Sequence, residues 1–440
     1  MATIATKWTA LLGCALLGSA AAGYAQDSGA LIDVLVKKGI LTDQEAVDVK
    51  TELMRENAAT PAGKVNLSSS TTEFRIGGDL RVRYEYREGA NSAGDHQERN
   101  RYRYRFRAGF TGKVTDDFFY GFRLETSSGN RSSNVTMGDD GGPWGKNNDG
   151  TYIGQIYVGW QPSSNTTVIA GRMPNPLVTT GLVWDGDINP EGFAEQFKFS
   201  SGDVGYFVNL GQFVYGTAGS QNVFGSAATN SDAYLLAWQA GAKVPFSGGT
   251  SLQVAPVLYT YVNQKQSTNP SPFRGAFSPT SMASINNLFV VEIPIEYNFP
   301  IGEKPGKVFA DFAYNFEGKD RARKFGRPDM DGENNAYQIG FQYGKAAKRG
   351  DWDAKLFYQA TGAFALDNNL VDSDLFDGRT NMKGIVLQGN YALGSATQLS
   401  ITVANARRKD GSLIAPGSGD IGTTDLNKFW LGQVDFNLKF

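Results

Sequence analysis

The chain has 440 residues, enough for several ordinary domains or for one large barrel. Its 42 basic and 44 acidic side chains nearly cancel, so no global field favours a nucleic-acid partner. The single histidine excludes a multi-histidine metal site. Beyond the first two dozen residues, no apolar run approaches the ~18 residues that a membrane-crossing helix requires.

Residues 1–25 read as a secretory signal peptide, with Lys7 as the basic region, Leu11 to Ala22 as the apolar region, and cleavage after Ala25. Leu11-Leu12-Gly13-Cys14 resembles a lipobox, but the apolar run before Cys14 is short and continues past it. Cleavage after Ala25 leaves no cysteine, so stability cannot come from disulfides. It also removes Lys7 as the only charged residue, moving the formal charge from −2 to about −3.

Residues 26–56 carry the only helical text. Leu31, Val34 and Leu35 share one side and the run stops at Gly39; Thr42-Asp43-Gln44-Glu45 then forms a capping box that opens a second helix. A short helical hairpin is expected, followed by a polar linker over 57–71. Its apolar stripe reads as a packing surface.

From residue 72 to the end the hydrophobic period is two, the signature of β-strands. The first strand sets Phe74, Ile76, Leu80, Val82, Tyr84 and Tyr86 against Arg75, Asp79, Arg81, Arg83, Glu85 and Arg87. In the second, NRYRYRFRAGF, Arg101, Arg103, Arg105 and Arg107 alternate with Tyr102, Tyr104 and Phe106. A nucleic-acid-binding sheet would place rings and arginines on one face, whereas here they are segregated. About sixteen such segments follow one another, AEQFKFS near 194–200 being the weakest.

Short Gly-, Ser-, Asp- or Pro-rich turns alternate with long polar segments near 88–98, 128–150, 173–193, 214–231, 264–286, 317–334, 363–381 and 408–426. A soluble sandwich has no reason for this alternation. A transmembrane barrel does, with periplasmic turns and external loops. An arginine on the lipid face at mid-bilayer costs ~2–4 kcal/mol, so the arginine rows must face a wet lumen and the rings must face lipid. The expected fold is therefore an all-β, antiparallel transmembrane barrel of about 16 strands over residues 72–440. The last strand ends with Phe436, Leu438 and Phe440 on one face, which resembles the signal by which the barrel assembly machinery recognises its clients.

AGRMPNPLVTTGLVWDGDINPEGFAEQF, residues 170–197, resembles the strand-to-loop passage of the bacterial family of putative porins. The hairpin LIDVLVKKGILTDQEA and the closing aromatic are similar to that family and to the related phosphate-selective porins. The resemblance implies a sixteen-stranded passive channel in the bacterial outer membrane, with its third long loop folded inward. It is compatible with a homotrimer bathed in outer-membrane lipid.

An inward third loop would bring Asp185, Asp187 and Glu191 to face Arg81, Arg83, Arg101, Arg103, Arg105, Arg107, Arg123 and, at the loop's base, Arg172. Opposed rows of charge would order water and set a modest anion preference among small solutes and ions. The other reading is that these arginines pair with carboxylates and hold the loop; it is open for Arg172 and Asp185, and weaker for the second-strand row, which has few acids nearby in sequence. PDMDGEN (328–334) has the flavour of a calcium loop but lacks the later Glu, and GDDGG (138–142) is equally unspecific. No metal and no cofactor are expected. An adhesin or structural anchor is the competing function. A barrel enzyme would need a base beside a nucleophile, and His96 has no such neighbour motif.

Overall fold

The computed structural model describes residues 35–38, 42, 45–49, 68, 70–127, 132–139, 143–145, 150–216, 232–262, 288–415, 419–423 and 425–440. The chain divides into two compact units, residues 1–69 and 70–440. In the first, residues 35–37 and 45–49 are helical. The capping box is formed: the Glu45 amide donates to Thr42 Oγ1 at 3.3 Å, and the Thr42 amide donates to Glu45 Oε2 at 2.8 Å. The signal peptide, the rest of the hairpin and most of the linker lie outside the described residues.

The second unit is a closed antiparallel barrel of sixteen strands. They are β1 (Thr71–Asn91), β2 (His96–Val114), β3 (Phe118–Ser127), β4 (Gly150–Ser163), β5 (Thr166–Arg172), β6 (Glu191–Ser201), β7 (Val204–Gly216) and β8 (Ala233–Phe246). β9 is one strand in two runs, Thr250–Val254 and Val257–Val262, broken where Pro256 has no N–H to give the ladder. Then come β10 (Phe289–Ile301), β11 (Lys304–Asn315), β12 (Asn335–Gly344), β13 (Trp352–Thr361), β14 (Met382–Ala392), β15 (Thr397–Arg408) and β16 (Leu426–Lys439). Pairing of β16 with β1, Leu438 opposite Leu80 and Phe436 opposite Val82, closes the sheet and leaves no edge.

Closure depends on a close approach at Gly78. Its amide donates to the Phe440 carbonyl at 2.9 Å and its carbonyl accepts from the Phe440 amide at 3.1 Å. A Cβ on Gly78 would lie 2.2 Å from the Arg107 carbonyl oxygen and 2.7 Å from the Phe440 ring, so no larger residue fits.

Period two sorts the faces as expected. Val82, Tyr84, Tyr102 and Phe106 are exposed on the outer surface, while Arg83, Arg101, Arg103 and Arg105 are buried inside. The first long connection is shorter than its polarity suggests: β1 and β2 pair through Ala90 opposite His96, leaving only residues 92–95 as the turn. Outside the bilayer both faces of a strand can be polar, so the sequence there reads as loop.

The interior is not polar throughout. Phe213, Leu235, Val257, Tyr259 and Val290 face inward from β7 to β10 and are buried against Leu182, Val183 and Trp184 of the third long loop. Leu366, Leu370 and Val371 of the seventh join the same cluster. Two loops folded into the barrel thus cover an apolar patch of its wall and make a dry core there.

Candidate functional site in the barrel lumen

The register of β1 and β2 puts Arg81 opposite Arg105 and Arg83 opposite Arg103, with Asp79 opposite Arg107 and Glu85 opposite Arg101. Like charges directly opposite one another destabilise a ladder, so this wall must recruit acids. The wall supplies some itself. Asp79 accepts from Arg105 Nη2 at 2.8 Å and from Arg107 Nε at 2.6 Å. Asp435 of β16 takes Arg83 in a two-point grip at 2.7 and 2.8 Å. Glu85, fully buried, lies between Arg87 and Arg101 and also accepts from Gln433 Nε2 at 2.8 Å.

The remaining acids arrive on loops. Asp374 of the seventh loop accepts from Arg83 Nη1 at 2.7 Å and from Arg87 Nη2 at 2.8 Å. Asp377 accepts from Arg87 Nη1 at 3.1 Å, and Asp420 of the eighth loop pairs with Arg101. Phe376 and Asp377 both hold left-handed backbone, φ 52° and 61°, which aims the Asp377 carboxylate at Arg87 and Arg379. Burial alone would raise Asp374, but the charges of Arg83, Arg87 and Arg103 outweigh it and hold its carboxyl far below the ordinary range. Asp420, its side chain still partly open, is also held below the ordinary range, the charges of Arg87 and Arg101 outweighing its partial desolvation.

The third loop is pinned to the far wall and offers its tip to the arginines. Thr179 Oγ1 donates to Glu292 Oε1 at 2.6 Å, Thr180 Oγ1 donates to Asp311, and the Gln239 amide bonds both ways to the Val178 backbone, at 2.7 and 2.9 Å. Trp184 stacks on Tyr259 at 6.3 Å. Asp187 then stands 3.6 Å from both Arg105 Nη1 and Arg107 Nη1. Asp185 acts differently, joining the two inward loops: its Oδ2 accepts from the Ser373 amide at 3.0 Å and its amide donates to the Leu370 carbonyl at 2.6 Å.

Two of the cavities beside these loops touch both of them. One, of about 330 Å³, runs between Arg81, Arg83, Asp187, Asp374 and the neutral side chains Ser400, Thr402 and Asn437. The other, of about 260 Å³, lies against β10 to β13 and carries Lys307, Lys355, Phe309 and Phe357. Asp372, Leu375 and Gln388 line both. Burial, reinforced by the charges of Asp185 and Asp374, pushes the Asp372 carboxyl up to about 7.

The sequence matches the Putative porin family over residues 89–290 and 305–429, well over half of the chain. The protein is a member of that family. Solved structures of similar fold include Salmonella typhi OmpF in complex with daunomycin, 11% identical with a TM-score of 0.47, covering 86% of this chain and 100% of that one. The anion-selective porin from Comamonas acidovorans is 12% identical with a TM-score of 0.46, over 84% and 99% of the two chains. A mutant of the Rh. blastica porin is 10% identical, TM-score 0.43, over 84% and 100%. No curated protein matches the sequence. Membership of the family gives the chain a porin channel and a place in the bacterial outer membrane.

In this porin, Arg81, Arg83, Arg101, Arg103, Arg105, Arg107 and Asp187 come together, and Arg123 faces inward beside Glu125 at 2.9 Å. The acid-poor neighbourhood expected of the second-strand row was misleading, because the ladder sets Asp79 and Glu85 of β1 beside it and loops bring Asp187 and Asp420 to it. Arg172 and Glu191 do not belong to the constellation. They are opposite each other in the ladder and share a face with Ile156, which is exposed on the outer surface. Ordinary alternation with Val168 and Ala170 sets Arg172 on that outer face, where it pairs with Glu191. In the 328–334 segment Asp329 is bound by Arg327 at 2.8 Å and Asp331 lies 3.5 Å from Lys319, so both carboxylates already hold cations. Of GDDGG, residues 140–142 lie outside the described residues. The seventh-loop acids and the lysines of the second cavity had no signal in the sequence beyond their inward register.

Proposed function

We propose that this porin passes small ions and solutes by passive diffusion through a water-filled lumen, with a modest anion preference set where Arg81, Arg105 and Arg107 meet Asp187. The observation that carries this reading is the difference between two groups of arginines. Arg83, Arg87 and Arg101 are buried and saturated by Glu85, Asp374, Asp377, Asp420 and Asp435, so they serve as structure. Arg81 and Arg107 keep 17% and 19% of their side chains open to the lumen, while Asn437 and Asp435 hold the first and Asp79 and Asp187 the second. Near-balance of acids and bases keeps the preference small, since exposed charges beyond ~8–10 Å are screened at ordinary salt. A homotrimer, lipid against the ring-bearing surface, and recognition of Phe436, Leu438 and Phe440 by the barrel assembly machinery belong to the same reading.

The test is single-channel recording of purified protein in a planar bilayer under a salt gradient. Steady conductance with a reversal potential on the anion side is expected. An adhesin or structural anchor would pass no current, and strong cation selectivity would overturn the role given to the arginines.

A further inference from the structure

The second cavity has a construction of its own. Two successive rungs of β11, β12 and β13 read Lys307–Gln342–Lys355 and Phe309–Gly340–Phe357. Gly340 is required between the rings: a Cβ there would lie 2.4 Å from Phe357 Cβ and 2.5 Å from Phe309 Cζ. In the space it leaves, the rings meet edge to face at 6.0 Å, and Lys355 Nζ sits 4.7 Å from the centroid of each. Lys307 is neutralised by Glu296 at 2.8 Å. Lys355 has no hydrogen bond and no carboxylate within ion-pair distance among the described residues, and it faces the cavity of about 260 Å³. Ring faces replace water on one side of the ammonium but supply no counter-charge.

We infer that this cavity is a binding subsite for small monocarboxylates with an aromatic or branched apolar body. The carboxylate would lie on Lys355 Nζ and the body against Phe309, Phe357 and Leu375. One uncompensated cation suits one negative charge, and Glu296 and Asp372 on the cavity wall disfavour a dianion such as phosphate. Two phenyl rings and an apolar loop residue give an apolar body a contact that acetate cannot make. The subsite rests on the channel reading for its access from solution.

The test uses full-length porin, benzoate as probe, and acetate and benzamide as controls. Saturation-transfer NMR on protein in detergent measures binding, and bilayer current in KCl measures block. Benzoate is expected to bind and to reduce current at concentrations at least about tenfold lower than acetate or benzamide. Lys355→Gln should weaken benzoate by about tenfold while KCl conductance persists, and Lys355→Arg should retain it. Equal binding of benzoate and acetate by the wild type, or undiminished benzoate binding by a folded Lys355→Gln protein, overturns the subsite. Benzoate binding without KCl current supports the subsite and overturns the channel reading alone.

Discussion

Arg83 and Asp374 are 291 positions apart in the chain, yet the Arg83 Nη1–Asp374 Oδ2 contact is 2.7 Å. The pair joins the first strand to the seventh long loop, and Asp435 on the closing strand completes the grip on the same guanidinium. A loop that is polar in sequence therefore becomes part of the interior, because it carries the counter-charges that the arginine wall lacks.

Asp374→Asn should destabilise the barrel by about 3 kcal/mol, since it strips a charge from two buried guanidiniums, Arg83 and Arg87. Denaturant unfolding in micelles measures this. The double variant Arg83→Gln/Asp374→Asn should cost less than the sum of the singles by about 1–3 kcal/mol. Additive losses would mean that the pair is not coupled.

Asp372 gives the channel a pH dependence of known sign. Its folded-state value, about 7, lies above the ordinary 3.8, so the folded protein binds the proton more tightly than the unfolded chain. Its contribution to stability is complete below about pH 4 and lost as pH rises through about 7. Asp374 and Asp420 work in the opposite direction, their contributions being lost only in strong acid. Because Asp372 lines both cavities, protonation removes a negative charge from the passage, and anion preference should rise as pH falls through about 7. Reversal potentials recorded from pH 5 to 9 should show this step, and Asp372→Asn should abolish it.

Asp187→Asn should remove the loop carboxylate from Arg105 and Arg107, leaving them only Asp79, and move the reversal potential further toward anions. Arg81→Gln should move it toward cations. Asp187→Asn should leave the unfolding free energy within about 0.5 kcal/mol of wild type; Arg81→Gln, which loses Asn437 and the Asp435 charge, should cost about 1 kcal/mol. Arg103 differs, being buried beside Glu85 and the Asn134 carbonyl, so Arg103→Gln should reduce folded protein rather than tune selectivity.

Gly78→Ala should lower the yield of inserted barrel sharply, because the added Cβ meets backbone at 2.2 Å and the β1–β2 ladder would have to shift. Phe440→Ser removes a ring stacked on Phe106 at 6.1 Å, a contact of about 1 kcal/mol, and takes the aromatic from the closing face. Counting folded protein in outer-membrane fractions checks both. Wild-type amounts of Phe440→Ser would rule out its part in assembly.

Period two, the alternation of short and long connections, and the segregation of Arg101, Arg103, Arg105 and Arg107 from Tyr102, Tyr104 and Phe106 were enough to read a barrel, its strand number and its inside from its outside. These are local consequences of backbone geometry and of the cost of charge in lipid, so each strand carries its own evidence. Which arginines stay open to the lumen and which are locked was decided by tertiary structure alone. Asp374, Asp377 and Asp420 reach the wall only after the loops fold inward, and nothing near Arg83 or Arg101 in sequence announces them. The same holds for Arg172, whose partner Glu191 returns from the third loop to lie opposite it on the outer face, and for Lys355, whose setting between two rings exists because three strands bring Phe309, Gly340 and Phe357 into one rung. Side-chain direction follows from sequence period, but counter-charge follows from which distant segment arrives opposite, and that depends on closure of the whole sheet.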